Sequence, residues 1–592
     1  MTTRQTRMAR MNTDRTMRAS GAIALLLALV LGLTNALRAQ NAPRFDPSSS
    51  VSSVLAVAVQ PADVIVTAER IYTVDDARPF ADAMAVRGGK IVFVGSAEGA
   101  MALRGPQTKV IDYRGRTIVP GITDAHAHML GLGIALSTVD LVGSNSYDEV
   151  IARVAARAKT APAGSWITGR GWDQNRWGDT RFPTQEKLSA AVPDHPVVLE
   201  RIDGHAVLAN AMAIKAAGVT AATKDPDGGR ILRDANGAPA GVFVDNAVGL
   251  IDRAIPPMSH DQQKAALLAA IAEANRWGLT GVHDAGESRA TIDLYEEIAK
   301  SGKLTLRSYV MISDDSAAIA YYFKLGPRSA MYDGRLWVRT IKLYADGALG
   351  SRGAALLDPY SDDPGNMGLL VSPPEHLRAV SVEALKHGFQ VATHAIGDRG
   401  NRVTLDAYEA ALKEVPTADH RFRIEHAQVV DHADIPRFAQ LNVIPSMQSV
   451  HQTSDMYWAG KRLGPGRVLG AYAWRALLNT GVIIPNGSDF PVEFVNPLFS
   501  YHSAITRQDA HDWPPGGWQP WEAMTREEAL KSLTIWPAVA SFEEEVLGSL
   551  TPGKYADFVV YDRDIVRAAP DEILGAQVVA TWVGGAAVYE KK

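Results

Sequence analysis

The sequence predicts an α/β chain built on a (β/α)8 TIM barrel. A small β-sandwich-like domain is expected from the two chain ends, and an insertion after the first barrel strand. Three observations predict this. Eight short apolar runs through the middle of the chain mostly end at or contain an ionisable residue, and helical patterns separate most of them. Short β-type runs with Gly-Gly turn signals occur at both termini. One stretch, 145–260, breaks the alternation and is too long for a simple crossover.

Residues 1–39 read as a signal peptide outside the fold. Arg4, Arg7, Arg10, Arg15 and Arg18 precede an apolar run of 13 residues, Gly21 to Leu33, and a small-residue exit at Leu37-Arg38-Ala39. The run is short for a membrane span, and an uncleaved anchor is the alternative. Cleavage would leave a mature net charge of −10 in place of −5. Residues 40–61 read as a loose Ser- and Ala-rich leader.

The small β domain is expected from 62–119 and 548–592. Its runs are Asp63–Val66, Ala83–Val86 and Ile91–Val94 at one end, and Asp557–Tyr561 and Val578–Val583 at the other. The barrel is expected over 120–547. Its strand candidates are Thr117–Ile122, Gly281–His283, Leu304–Ile312, Val338–Leu343, Gln390–Thr393, Phe422–Glu425, Asn442–Met447 and Val482–Pro485. Helices are expected over Gln262–Trp277 and His376–His387. The insertion carries Trp166, Trp172 and Trp177 and is read as a cover over the barrel mouth.

Composition narrows the chemistry. Apolar residues make up 46% and charged residues 21% of 592, as in ordinary globular proteins. No basic patch favours nucleic acid, and the expected partner is a small-molecule substrate. There is no cysteine, so disulfides, Cys-held metals and a Cys-borne lipid anchor are excluded. No stable membrane anchor is expected, and a homo-oligomer is compatible with the sequence.

His126-Ala-His128 is the strongest local signal, because residues i and i+2 of an extended chain face the same side and two imidazoles there can share an ion. His394, His426 and Asp489 each follow an apolar run; singly, each could be a satisfied core residue. Together, four His and one Asp converging on one mouth suit a divalent metal, zinc first, at one or two ions per chain. Lys342 lies inside a strand pattern. Burial would favour its neutral amine, which can form an anionic carbamate with carbon dioxide; an ion pair with Asp346 is the equal alternative. Trp172, Asp173, His205, Asp346 and His451 are candidate substrate-binding residues, with packing of the insertion as the plainer role for the Trp residues. His283-Asp284 and Asp455 are undecided between pocket and structural roles.

These motifs resemble the amidohydrolase superfamily, in the amidohydrolase-3 branch that contains N-substituted formamide deformylases. Pro120-Gly-Ile-Thr-Asp-Ala-His-Ala-His128, Ile341-Lys-Leu-Tyr-Ala-Asp-Gly-Ala-Leu-Gly350, Thr393-His-Ala-Ile-Gly-Asp398, Ile424-Glu-His-Ala427 and Gly487-Ser-Asp-Phe-Pro491 are similar to its strand-one, -four, -five, -six and -eight signatures. Trp166–Asp173 resembles the branch's insertion, and Gly548–Asp557 the return to its small domain. One departure is Ser446-Met-Gln-Ser-Val-His451, where the branch usually has Gln-Pro before the His. The resemblance implies His126, His128, Lys342, His394, His426 and Asp489 as the metal and catalytic set, and favours the carbamate at Lys342. It implies an exported hydrolase of C–N amide-type bonds. Asp489 would take a proton from the attacking water and pass it to the leaving nitrogen. An esterase, lactonase or cyclic imide hydrolase would use the same site. A non-catalytic binding protein would require a missing ligand, and none is missing.

Overall fold

The computed structural model describes residues 60–592, except 175–176, 180, 202–205, 227–228, 246 and 351, and only the backbone of 245. The expected signal peptide and nearly all of the leader lie outside the described residues. Among the described residues no helix is long and apolar enough to cross a membrane.

Both ends of the described chain contribute to one seven-stranded sheet. Its order is Ala586–Glu590, Val578–Val583, Phe558–Tyr561, Lys109–Pro120, Val64–Tyr72, Phe80–Arg87, Lys90–Gly95. The ends meet where Phe558–Tyr561 pairs antiparallel with Thr117–Pro120. Apolar clusters around Phe558 and Trp582, and around Ile65 and Ala83, are buried against it. Gly121 alone separates this sheet from the first barrel strand, Ile122–Ala127. The run read as one strand, Thr117–Ile122, is therefore divided between two sheets. Apolarity alone could not mark the break, because both halves are buried.

The barrel is a nearly closed ring of parallel strands. After Ile122–Ala127 come Leu279–Glu287, Arg307–Ile312, Leu336–Tyr344, Gln390–Ala395, Arg423–His426 and Ile444–Ser446. The eighth position is not a regular strand, although its backbone bonds to both neighbours. Gly487 N–H donates to the Met447 carbonyl at 3.0 Å and Met447 N–H to that of Pro485 at 3.0 Å. On the other side Ala125 N–H donates to the Asn486 carbonyl (3.1 Å) and Asp489 N–H to that of His126 (2.8 Å). The irregularity has two local causes. Pro485 has no N–H to give, and Asp489 takes a positive φ of 60°. Gly487 is required by proximity, since a Cβ there would lie 2.5 Å from the His126 nitrogen.

Helices pack around the ring. His260–Arg276 begins two residues earlier than its apolar period suggests, because Ser259 and Gln262 form a reciprocal capping box. The insertion between the first two barrel strands carries its own six-stranded sheet, from Val139 to Asp245, with separate apolar clusters around Trp172 and Phe243.

Candidate metal centre

The strand ends bring most of the suspected residues together. His126 and His128 leave the first strand, with ring centroids 5.6 Å apart. His426, from the sixth strand, stands 4.7 Å from His126 and 4.5 Å from His394 at the end of the fifth. Asp489 faces all of them from the eighth position. Its Oδ1 lies 3.1 Å from His128 Nε2 and 3.6 Å from His126 Nε2. His451, on the helix Ser449–Asp455, approaches the other oxygen, Oδ2, at 3.7 Å. These groups line a cavity of about 400 Å3 with Lys342, Tyr344, Gln428, Trp458 and Glu493.

Two backbone kinks make the convergence possible. Alternation along a strand should send Glu425 and His426 to opposite faces. His426 and Ala427 instead take φ of 75° and 42°, so both side chains turn inward. Asp489 is held in a similar left-handed turn. Such conformations cost about 1–3 kcal/mol each and persist where surrounding structure enforces them. Here Asp124 does so. Its carboxylate accepts from Ser488 N–H and Oγ and from His126 N–H, tying the turn before Asp489 to the first strand.

Beneath the cluster lies a buried ionic network. Glu425 Oε2 faces His126 Nδ1 at 2.5 Å, and Arg423 flanks the same carboxylate, with Nε 2.7 Å from Oε1. Burial would raise the Glu425 carboxyl, but Arg423 and His126 outweigh it and hold it well below the usual carboxylate range. An ionised Glu425 fixes the proton of His126 on Nδ1 and leaves Nε2 as a lone pair. His426 is oriented alike, its Nδ1 2.8 Å from Gln448 Oε1. Burial, and then the charge on Lys342, pushes His126 down to about 4 and His394 to about 3, so both are neutral at physiological pH. Asp489 stays ionised: burial opposes this, but His128 and the other imidazoles hold it below the carboxylate range.

The donor set fits a divalent ion. Neutral imidazoles and one carboxylate are what such an ion binds. Ligand atoms of His126, His128 and Asp489 lie within 4.8 Å of one another, as do those of His426, His451 and Asp489. His394 Nε2 is buried without a hydrogen-bond partner, a costly state that coordination would relieve.

Lys342 is fully buried in the cavity wall, its Nζ 5.1 Å from the Tyr344 ring centroid, and burial pushes it down to about 8. Among the described residues it forms no ion pair with Asp346. Asp346 is instead engaged by the backbone N–H groups of Ala355, Ile396 and Gly397, which shape the loops after the fourth and fifth strands. Trp172 is not brought to the cavity. It is buried in the core of the insertion, its Nε1 donating to the Leu199 carbonyl. Asp173 pairs with Arg201 at 2.9 Å in the insertion. His205 lies outside the described residues. His283 and Asp284 have structural partners: Arg423 for the first, Met129 N–H and Tyr295 for the second. Glu425, Arg423, Gln428 and Gln448 were missed from sequence. Glu425 had one available signal, a carboxylate beside a suspected ligand inside an otherwise apolar strand.

Replacing Glu425 by Gln keeps the shape but removes the charge that orients His126. Metal affinity of Glu425→Gln, measured by competition with a chelator, should fall about 10–100-fold. Unchanged affinity would show that His126 is oriented without it.

The family model described as amidohydrolase family matches residues 109–589. A Bacillus subtilis protein described as an amidohydrolase, YtcJ, is 34% identical over 527 residues, covering 88% of this chain and 98% of its own. The N-substituted formamide deformylase of Arthrobacter pascens is 28% identical over 547 residues, covering 89% and 98%. A solved metal-dependent hydrolase of uncharacterized function from Pyrococcus horikoshii superposes with a TM-score of 0.70 at 26% identity, covering 86% of this chain and 99% of that one. The chain belongs to the amidohydrolase family, whose members are metal-dependent hydrolases.

Proposed function

We propose that the protein hydrolyses a C–N bond of N-formyl, N-acyl or cyclic amides, with zinc as the first candidate for its ion. The observation that carries this reading is the placement of an ionised Asp489 3.1 and 3.6 Å from the Nε2 atoms of His128 and His126. The similarity to a formamide deformylase supports the bond type. His126, His128, His394, His426 and Asp489 would hold the ion. A divalent ion there supplies a Lewis acid for the carbonyl oxygen and makes a coordinated water acidic near neutral pH. Asp489 accepts the proton of the attacking water. It then delivers that proton to the leaving nitrogen as the C–N bond breaks, giving a carboxylic acid and an amine. Asp489 is the ionised group beside the reacting carbon and acts as the base, and Glu425 and Gln448 keep the His126 and His426 rings in place.

Chelation should abolish hydrolysis across a panel of N-formyl, N-acyl and cyclic amides, and added zinc should restore it. Esters or lactones cleaved with amides untouched would overturn the assigned bond. Full activity in protein shown to be metal-free by elemental analysis would overturn the mechanism.

We infer further that Lys342 is carboxylated and, with the imidazoles and Asp489, would hold two ions. Its amine takes up carbon dioxide with loss of one proton, giving an anionic carbamate. Burial, the low proton affinity and the lack of an Asp346 pair support this. Lys342→Ala should lose activity and at least one metal equivalent, and short carboxylic acids should restore part of both. One ion per wild-type chain, with an unmodified Lys342, would sink the two-ion version.

The arginine-rich start and the apolar run that follows support export to the periplasm or medium. Terminal sequencing of the mature protein should place its start close to Ala39; mature cytoplasmic protein that retains Met1 would overturn this.

A further inference from the structure

The five imidazoles of the cavity are not equivalent, and the difference lies in what each ring's Nδ1 faces. His126 faces a carboxylate and His426 an amide oxygen, both acceptors. Each therefore carries its proton on Nδ1 and offers a lone pair at Nε2. His451 is the reverse. Its Nδ1 lies 3.0 Å from Gln428 Nε2, an amide nitrogen that can only donate. The proton of a neutral His451 must then sit on Nε2, where it cannot bind a metal. That Nε2 is buried, has no hydrogen-bond partner and stands 3.7 Å from Asp489 Oδ2. The ring is fixed, lying nearly parallel to His426 with an interplanar angle of 19° and a centroid distance of 5.9 Å.

We propose that His451 is not a metal ligand but a catalytic hydrogen-bond donor, its Nε2–H directed at the carbonyl oxygen of the substrate. This rests on the amide-hydrolase reading. Asp489 is thereby divided between two tasks. Oδ1 faces the His126–His128 pair, and Oδ2 shares the reaction space with His451. The 3.7 Å between Asp489 Oδ2 and His451 Nε2 is too long for a hydrogen bond, so the Nε2–H is left for substrate. The donor is placed where negative charge grows on the carbonyl oxygen as water adds. The chemistry selects substrates that present a carbonyl acceptor beside the scissile nitrogen.

The test compares His451→Phe, which keeps a ring, with His451→Gln, which keeps an N–H donor. Both should retain the wild-type metal content by elemental analysis. In His451→Phe, kcat on the best amide should fall about 10²–10³-fold, and His451→Gln should recover part of the loss. Acetate, a carboxylate of the product type, should bind zinc-loaded His451→Phe more weakly than wild type by calorimetry. In metal-free protein, nitrogen-15 spectra of the imidazoles should show His451 protonated on Nε2 and His126 and His426 on Nδ1. Loss of a metal equivalent in His451→Phe, a proton on His451 Nδ1, or an undiminished kcat would each overturn the proposal. If the wild type cleaves no amide, the reaction assignment falls; metal content, tautomer and acetate affinity still decide the role of His451.

Discussion

The buried carboxylate of Glu425 and the guanidinium of Arg423 constrain the rest of the site. Neither has any exposure, and an unpaired charge at that depth would be prohibitive. Arg423 meets the requirement by reaching four strands at once. It touches Glu425 on its own strand, the Ala125 carbonyl on the first, His283 Nδ1 on the second and Ser446 Oγ on the seventh. The barrel interior under the cavity is thus polar and cross-linked between strands, where aliphatic layers are the common filling. A second polar layer joins Tyr309, Thr340 and Gln390 on the third, fourth and fifth strands. Such networks cost stability when one member is removed, and in exchange fix register. Strand slippage of one residue would break every one of these contacts, so His126 and His426 cannot drift relative to each other.

Closure of the ring depends on a different device. The eighth position runs too close to the first strand for any side chain at 487, and its backbone bonds are few. Asp124 compensates by gripping Ser488 through both main chain and hydroxyl. The left-handed turn that follows aims Asp489 across the mouth. Asp489 is therefore held by the strand bearing the His-x-His pair.

Legibility followed the physics of each element. Long apolar runs beside His394 and Lys342 marked their strands well, since both faces of a barrel strand are buried. The six suspected ligands were visible because His, Lys and Asp are rare at such ends. Glu425 was not, because a period of two puts it on the face opposite His426, and nothing in the sequence announces the positive φ that cancels the alternation. The eighth strand was placed too early, at Val482–Pro485, because the apolar residues precede the paired ones. Trp172 looked like a pocket residue only while the insertion lacked a visible core; with six strands of its own, the insertion consumes its aromatics internally. Hydrogen-bond partners such as Gln428 and Gln448 were illegible, since an amide has no periodic signature.

Charge ties the state of Lys342 to the number of ions on the proposed reading. Arg423 and Glu425 cancel beneath the cavity, and His126 and His394 above them are neutral. Asp489 is then the main ionised carboxylate facing the ions, since burial raises the Glu493 and Asp455 carboxyls that line the same cavity. One dication is offset in part by it. A second, a few ångströms away, would meet a repulsion on the order of 15 kcal/mol at an effective dielectric of about 20, four times that between unit charges. An ammonium at Lys342 would add to that repulsion, whereas a carbamate there would replace a positive charge by a negative one beside the ions. Burial already weakens the ammonium, although Glu425 and Asp489 pull the other way. The same low dielectric that forces Lys342 to choose also strengthens each remaining contact, including the N–H that His451 offers to substrate. Ion number, the chemical state of one lysine and the polarity of the cavity are therefore a single coupled property of this barrel mouth.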